Sequence, residues 1–150
     1  MKVIISRKEV EAFAGYYWNQ LNEFLALSET EELSGKLLDM HHFYWVGSEV
    51  SSGGFLQYFE NKCDWNQDGV SESILRLGAI EHHRLFDMLK SLNNELRGYY
   101  ENEESHLEAI DRLEDESVKI EFAFNQLIDP LVFLEEYLRE HEDELVEWVA

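Results

Sequence analysis

Apolar residues recur along most of the chain at intervals of three and four, the spacing that lines one face of an α-helix. The two clearest stripes consist of Val10, Phe13, Ala14, Tyr17, Leu21, Phe24 and Leu25, and of Leu75, Gly78, Ala79, His82, Leu85, Phe86, Leu89 and Leu92. No segment shows the strict alternation of a half-buried strand. The pattern predicts an all-α fold, a single compact domain of about six to seven helices.

Polar residues mark where these helices begin. Ser6 and Glu9 have the spacing of a capping box and place the start of the first helix at Arg7. Asp129 followed by Pro130 predicts the start of the last helix, with aspartate as the N-cap and proline in the first turn. Apolar spacing carries that last helix to its end, with Leu131, Leu134, Leu138, Leu145 and Trp148 on its buried face.

The helix boundaries in the middle of the chain are less clearly marked. A second helix is expected over 30–45, and a glycine-containing turn at 51–54 separates it from a short helix over 55–62. Two consecutive helices are expected over 107–128, with a break at 115–117. No repeat or low-complexity linker divides the sequence, so residues 1–150 are predicted to form one acidic helical domain.

Composition and charge narrow the classes of function. The chain is 45% hydrophobic, which disordered proteins are not, yet its formal net charge is −20. Such a field repels nucleic acid and anionic membranes and attracts basic partners. Cys63 is the only cysteine, which excludes an internal disulfide and favours a reducing compartment. With no signal-peptide pattern and no apolar run long enough for a membrane span, we expect a cytoplasmic protein.

The negative charge is concentrated in the last third of the chain, where seventeen acidic and three basic residues follow Tyr100. Two sets of four carboxylates repeat one spacing, i, i+4, i+7 and i+11. The first set is Glu104, Glu108, Asp111 and Asp115, and the second is Glu136, Glu140, Asp143 and Glu147. Like charges at i, i+4 cost a helix roughly 0.2–0.5 kcal/mol per pair, so a helix shaped only for solubility would interleave lysines. Each row is either a solvated helix face or a phosphate-like row of charge.

A patterned segment in the middle of the chain resembles a known family signature. It reads Glu49-Val50-Ser51-Ser52-Gly53-Gly54-Phe55-Leu56-Gln57-Tyr58-Phe59-Glu60-Asn61 and is followed by Leu77-Gly78-Ala79. This is similar to the signature of the bacterial DNA-mimic protein (DMP-type) domain family, over about residues 33–148. The resemblance implies an all-helical domain and, for the DNA-mimic member, an acidic surface that occupies the DNA-binding face of a transcription factor. Ser52 departs from the family, which usually has Asn there.

The residues of this motif also have a structural interpretation. Gly53 and Gly54 allow a tight, closely packed turn. Phe55, Tyr58 and Phe59 have the helical spacing of core aromatics. Gln57 and Asn61, one turn apart, would satisfy backbone groups across a packed junction. Glu49, Gly78 and Ala79 belong to the same motif. We interpret the motif as structural, with a ligand site as the alternative.

Metal and catalytic chemistry find little support. Residues 64–69 match the opening of an EF-hand loop, but Leu75 stands where the bidentate glutamate belongs. The pairs His41-His42 and His82-His83 point about 100° apart within each pair on a helix and cannot chelate alone. With no nucleophile motif and no phosphate-binding loop, the sequence predicts no cofactor, no metal and no enzyme.

The sequence therefore favours a DNA-mimic binding protein that blocks a basic DNA-binding protein, namely a bacterial transcription factor. An immunity-type inhibitor of a basic nuclease fits the same charge. A small-ligand or metal-binding protein with its site at Ser51–Asn61 and Asp64–Glu72 is the alternative from another class. A homodimer would extend the charged rows without being required by them.

Overall fold

The computed structural model describes residues 1–150 as eight α-helices and one small parallel sheet. In chain order the elements are β1 (Val3–Ser6), α1 (Arg7–Ala12), α2 (Gly15–Leu27), α3 (Gly35–Asn61), α4 (Gln67–Arg76), α5 (Ile80–Tyr100), α6 (Leu107–Asn125), α7 (Pro130–Glu140), α8 (Glu142–Leu145) and β2 (Val146–Val149). Single 3₁₀ turns occupy Thr30–Glu32 and Glu103–Ser105. The expected all-α class is confirmed. None of the helices combines the length and apolar character that crossing a bilayer requires.

The N-terminal helix begins as predicted but ends early. The Ser6 hydroxyl accepts a hydrogen bond from the Glu9 N–H at 3.3 Å, which is the capping half of the predicted box. α1 then stops at Ala12, because Phe13 has an extended backbone, and the Phe13 ring lies against Gly15. The expectation of one helix running through to Leu25 is therefore wrong, and Phe13 is exposed.

The interior boundaries also differ from the sequence pattern. The helix expected over 30–45 begins later, at Gly35, after the 3₁₀ turn at Thr30–Glu32. It is continuous with the helix expected over 55–62, and the two form a single kinked helix, α3. The break expected at 115–117 is absent: α6 is continuous through these residues, and Ser117 lies on its buried face. Gly78 and Ala79 do not lie within a helix but join α4 to α5. There the positive φ of Gly78 lets the Ala79 N–H donate to the Ile74 carbonyl at 3.3 Å.

The C-terminal end contains the largest departure from the predictions. Asp129 caps α7 by accepting a hydrogen bond from the Leu131 N–H at 2.8 Å, as expected. The helix ends at Glu140, however, and residues 146–149 form a strand parallel to β1, with Val3 paired to Val146. Leu145 and Trp148 are three residues apart, a spacing that fits a helix as well as a turn followed by a strand. The partner strand, at the other end of the chain, decides between them.

One contiguous core joins these elements. α5 packs against α6, α3 packs against α4 and α7, and α2 supports both α3 and β1. At the centre lies an aromatic cluster of Phe55, Tyr58, Phe59, Phe86 and Phe124, with the rings of Phe55 and Phe124 edge to face at 5.0 Å. This edge-to-face geometry is the one that aromatic pairs prefer. The cluster holds α3, α5 and α6 together.

Every buried side-chain nitrogen and oxygen atom has a hydrogen-bond partner. Asp39 of α3 accepts hydrogen bonds from the Ser73 hydroxyl at 2.9 Å and from the Arg76 guanidinium at 2.8 Å. His42 hydrogen-bonds the same Ser73 hydroxyl at 2.8 Å. The buried ring of His82 donates to the Ile128 carbonyl at 2.7 Å, surrounded by aromatic rings. These histidines have structural partners, and no three His, Cys, Asp or Glu side chains are grouped as a metal site.

The half-buried His42 makes stability depend on pH. Desolvation, with a smaller contribution from His41, lowers the pKa of His42 to about 4. In the unfolded chain the ring takes up its proton near pH 6.5. The stability that the neutral His42 ring contributes is therefore fully present above about pH 6.5, and it is lost as the pH falls from about 6.5 to about 4. We expect His42→Gln to remove about 1–2 kcal/mol of that decline, after discounting for partial exposure.

The comparison uses urea denaturation of both proteins at several pH values, since the carboxylates contribute equally to each and cancel. An unchanged pH dependence in the variant would contradict the assignment to His42.

The Asp39 network makes a second stability prediction. Asp39→Ala leaves the buried Ser73 hydroxyl without its acceptor and should lower the free energy of unfolding by about 2 kcal/mol. Glu72 also lies near Arg76, at 3.6 Å, but is exposed, so Glu72→Ala should change stability by less than about 0.5 kcal/mol. Urea denaturation measures both, and equal losses would show that the network is not the cause.

Candidate functional site: two acidic rows and a glycine-pair junction

The first predicted row lies mainly on α6. Glu108, Asp111 and Asp115 are exposed and point about 170° away from the centre of the helix's buried face. Glu104 precedes the helix, in the 3₁₀ turn, and is also exposed. The row therefore begins in a turn and continues along two turns of α6.

The sequence predicted that the second row follows a single helix, and this prediction is wrong. Glu136 and Glu140 stand one turn apart on the outer face of α7, Asp143 lies on α8, and Glu147 lies on β2. All four are exposed. The helix ends at Glu140, before Asp143 and Glu147 at the i+7 and i+11 positions, so the row bends with the chain.

All eight carboxylates lack partners within the protein. None forms an ion pair or accepts a side-chain hydrogen bond. Many other acidic side chains are engaged: Asp68 with Lys90, Glu81 with Arg84, and Glu144 with Lys36. The rows therefore keep their full negative charge toward solvent.

The two rows are on helices with different neighbours. α6 packs on α5, whereas α7 packs on α3, and α6 and α7 are not one of the main packed pairs. The rows also have different surroundings. Arg112 lies beside Glu104 and Glu108, whereas Glu136 and Glu140 line a shallow groove that also contains Lys36 and Arg76.

The motif in the middle of the chain forms the kink of α3. Gly54 has φ 84° and ψ −179°, a conformation that is essentially restricted to glycine. A Cβ atom at Gly53 would displace the amide of Gln57, which folds back over this residue. The turn expected from the glycine pair is therefore a break in one long helix.

A hydrogen-bonded network of the motif's polar residues spans this break. The carboxylate of Glu49 accepts hydrogen bonds from the Gln57 amide at 2.9 Å and the Asn61 amide at 2.8 Å. Gln57 also donates to the Ser52 hydroxyl at 2.8 Å. Glu49 and Asn61 thus fix the two sides of the kink relative to each other. Ser52 takes part in this network and does not cap the helix.

The cap of the resumed helix comes from α6. Glu121 accepts a hydrogen bond from the Phe55 N–H at 2.6 Å, where α3 continues after Gly54. A carboxylate at a helix N-terminus accepts a hydrogen bond from a free N–H and interacts favourably with the positive end of the helix dipole. Sequence reasoning missed Glu121, because it lies 66 residues from Phe55 and nothing in its local pattern distinguishes it.

A groove of about 200 Å³ opens between this junction and α5. Its lining consists of Gly53, Gly54, Phe55, Leu56, Phe59, Leu89, Asn93, Glu114, Ser117, Val118 and Glu121. The set contains two carboxylates and no cationic side chain. The groove therefore combines an apolar floor with negative charge.

A model of the family described as DMP19-like protein matches residues 31–148. The chain belongs to the DMP19-like protein family. The family resemblance inferred from the central motif is thus confirmed. Searches of curated proteins and of solved structures returned no match.

The DMP19-like region contains both acidic rows, the kink of α3 and the groove, and leaves out β1, α1 and α2. The family match therefore covers every candidate site residue, but not the strand that pairs with the C-terminal end.

The alternative cation site at Asp64–Glu72 does not form an EF-hand loop. α4 begins at Gln67, inside that stretch, and the Asn66 side chain caps it by accepting from the Gly69 N–H at 3.2 Å. Asp68 pairs with Lys90 at 2.8 Å. Two of the would-be ligands are thus committed to a cap and an ion pair.

The conformation of Gly54 predicts opposite effects for two glycine substitutions. Gly54→Ala places a side chain in a region of φ and ψ that costs about 1–3 kcal/mol and sets its Cβ against Glu121. Gly98 is an ordinary helical glycine in open space, so Gly98→Ala should stabilise the protein by about 0.5–1 kcal/mol. Chemical denaturation measures both values, and a tolerated Gly54→Ala would refute the glycine requirement.

Proposed function

We propose that this DMP19-like protein is a DNA mimic and acts by binding rather than by catalysis. Its acidic rows occupy the DNA-binding surface of a basic partner, a bacterial transcription factor in the cytoplasm, and block DNA binding. The observation that carries the proposal is the set of eight exposed carboxylates without internal partners.

The lack of partners matters energetically. A carboxylate already paired with a lysine must give up that contact before it binds another cation, whereas a free one gains the full interaction. Seventeen acidic and three basic residues after Tyr100 also make the surrounding field strongly negative. Charge complementarity of this kind accelerates encounter and selects basic partners.

The spacing of charge on α6 is comparable to that of a nucleic acid strand. Glu108, Asp111 and Asp115 extend over about 10.5 Å of helix axis, or about 5 Å per charge. One strand of duplex DNA carries a charge every ~3.4 Å of axis. A surface of lysine and arginine side chains, which are long and flexible, would tolerate that difference.

α6 and α7 pack on different helices, and this affects how the protein would mimic DNA. Each row is a short segment of charge on its own face, and the second bends from helix to strand. We therefore propose two contact segments for the partner rather than one continuous duplex-like surface. The same charge suits a basic nuclease, and the identity of a captured partner separates the two.

The direct test is affinity capture from a bacterial lysate on the immobilised full chain, eluted with a salt gradient. A DNA-binding protein should be retained at low salt and released as salt rises, because screening weakens exposed charge pairs. The captured protein is then tested for loss of binding to its own DNA. A captured protein that still binds DNA normally in the complex would refute the mimic mechanism.

Charge reversal separates the two rows. Replacing Glu136, Glu140, Asp143 and Glu147 with Lys, or Glu104, Glu108, Asp111 and Asp115 with Lys, should weaken partner binding by at least about tenfold, since each contact contributes up to ~1 kcal/mol. The matched control reverses Glu11, Glu23, Glu31 and Glu60, which are exposed, lack ion pairs and lie on other elements.

Binding is measured by calorimetry, with thermal unfolding to confirm that each variant is folded. Equal weakening in the control and in both row variants would show that net charge, and not the rows, drives binding.

A further inference from the structure

The groove at the α3 kink lies beside the α6 row, where the outer edge of the core is open to solvent. Phe55, Phe59 and Leu89 form its floor and are buried. Leu56 and Val118, on its rim, are 46% and 64% exposed. The groove is therefore an open apolar recess within an acidic surface.

Its size restricts what it can hold. Pockets for drug-sized ligands usually measure about 300–1,000 Å³. At about 200 Å³ the groove is smaller, and it suits a single side chain.

Its polar groups restrict the chemistry further. Glu114 accepts a hydrogen bond from the Tyr100 hydroxyl at 2.9 Å, and Glu121 accepts one from the Phe55 N–H at 2.6 Å. Each bond uses one oxygen and fixes the carboxylate, while the second oxygen of each accepts no hydrogen bond within the protein. Two oriented acceptors and two aromatic rings in one lining, with no cationic side chain among them, favour a cationic occupant.

We propose that the groove receives an arginine side chain of the basic partner. The guanidinium would donate to Glu114 or Glu121, and its methylene stem would lie on Phe55 and Phe59. Arginine fits better than lysine because guanidinium is planar, more weakly hydrated and stacks on aromatic rings.

This assignment rests on the proposed function and gives it an anchor point. Glu114, Val118 and Glu121 lie on the flank of α6 adjacent to Asp111 and Asp115. A basic surface docked along the α6 row would therefore hold an arginine above the groove. Each exposed charge pair contributes little affinity, whereas a side chain seated in a recess fixes the register of binding.

The test is a two-dimensional NMR titration of the full chain with N-acetyl-arginine methylamide at low salt. The matched probes are the citrulline analogue, which has the same shape without the charge, and the lysine analogue. We expect shifts centred on Gly53–Phe55 and on residues 114–121. The citrulline probe should not bind, and the lysine probe should bind about threefold more weakly, the change expected for a less complementary ion pair.

Variants of the two carboxylates test the contacts. Glu121→Gln keeps an oxygen to cap Phe55 and removes the charge, and Glu114→Gln does the same for Tyr100. The double variant should bind the arginine probe at least about threefold more weakly. The control pairs Glu116→Gln with Glu11→Gln, because both residues are exposed, neither lines the groove, and together they lose the same two charges.

Several outcomes would overturn the inference: equal binding of the citrulline or lysine probe, shifts spread evenly over the acidic rows, or full affinity in the double variant. The titration needs no protein partner, so arginine binding without any captured DNA-binding protein would refute only the proposed function. A partner that depends on the rows but not on Glu114 and Glu121 would refute only the groove assignment.

Discussion

The carboxylate of Glu121 caps the helix that resumes after the one backbone break in α3, and much of the structure depends on that contact. Gly54 ends the first part of α3, and the Phe55 N–H that starts the second part donates to Glu121 of α6. The kink directs Phe55 and its neighbours into the aromatic cluster with α5 and α6. One charge-assisted hydrogen bond thus joins the glycine-pair motif to the helix that carries the first acidic row.

This arrangement separates structural acids from free ones. Asp39, Glu49 and Glu121 are held by hydrogen bonds within or between helices, and they stabilise the fold. The carboxylates of the two rows have no such partners and face solvent. In a chain of net charge −20, repulsion among them opposes folding, and the interior offsets it with a continuous apolar core. The surface charge is therefore available for binding.

Local patterns predicted the features that depend on local physics. The caps at Ser6 and Asp129 were predicted correctly, because a cap requires only the residues of one turn. The helical class and the exposure of the two rows also followed from residue spacing. The central motif indicated the family, and the glycine pair indicated a break at the right place. These conclusions need no knowledge of what lies across the core.

Contacts between distant residues decided the rest. Val146–Val149 form a strand, not a helix, because the N-terminal strand supplies their hydrogen bonds. Glu121 became a helix cap only when α6 packed against the kink of α3. The row that ends at Glu147 bends because the chain leaves α7 and pairs with β1, so its charges do not share one helix face. The sequence by itself determined the helical class, the two local caps, the charge and the motif. Only the tertiary structure decided which carboxylates are engaged and which are free, because the nearest hydrogen-bond partner in space is set by packing and not by sequence distance.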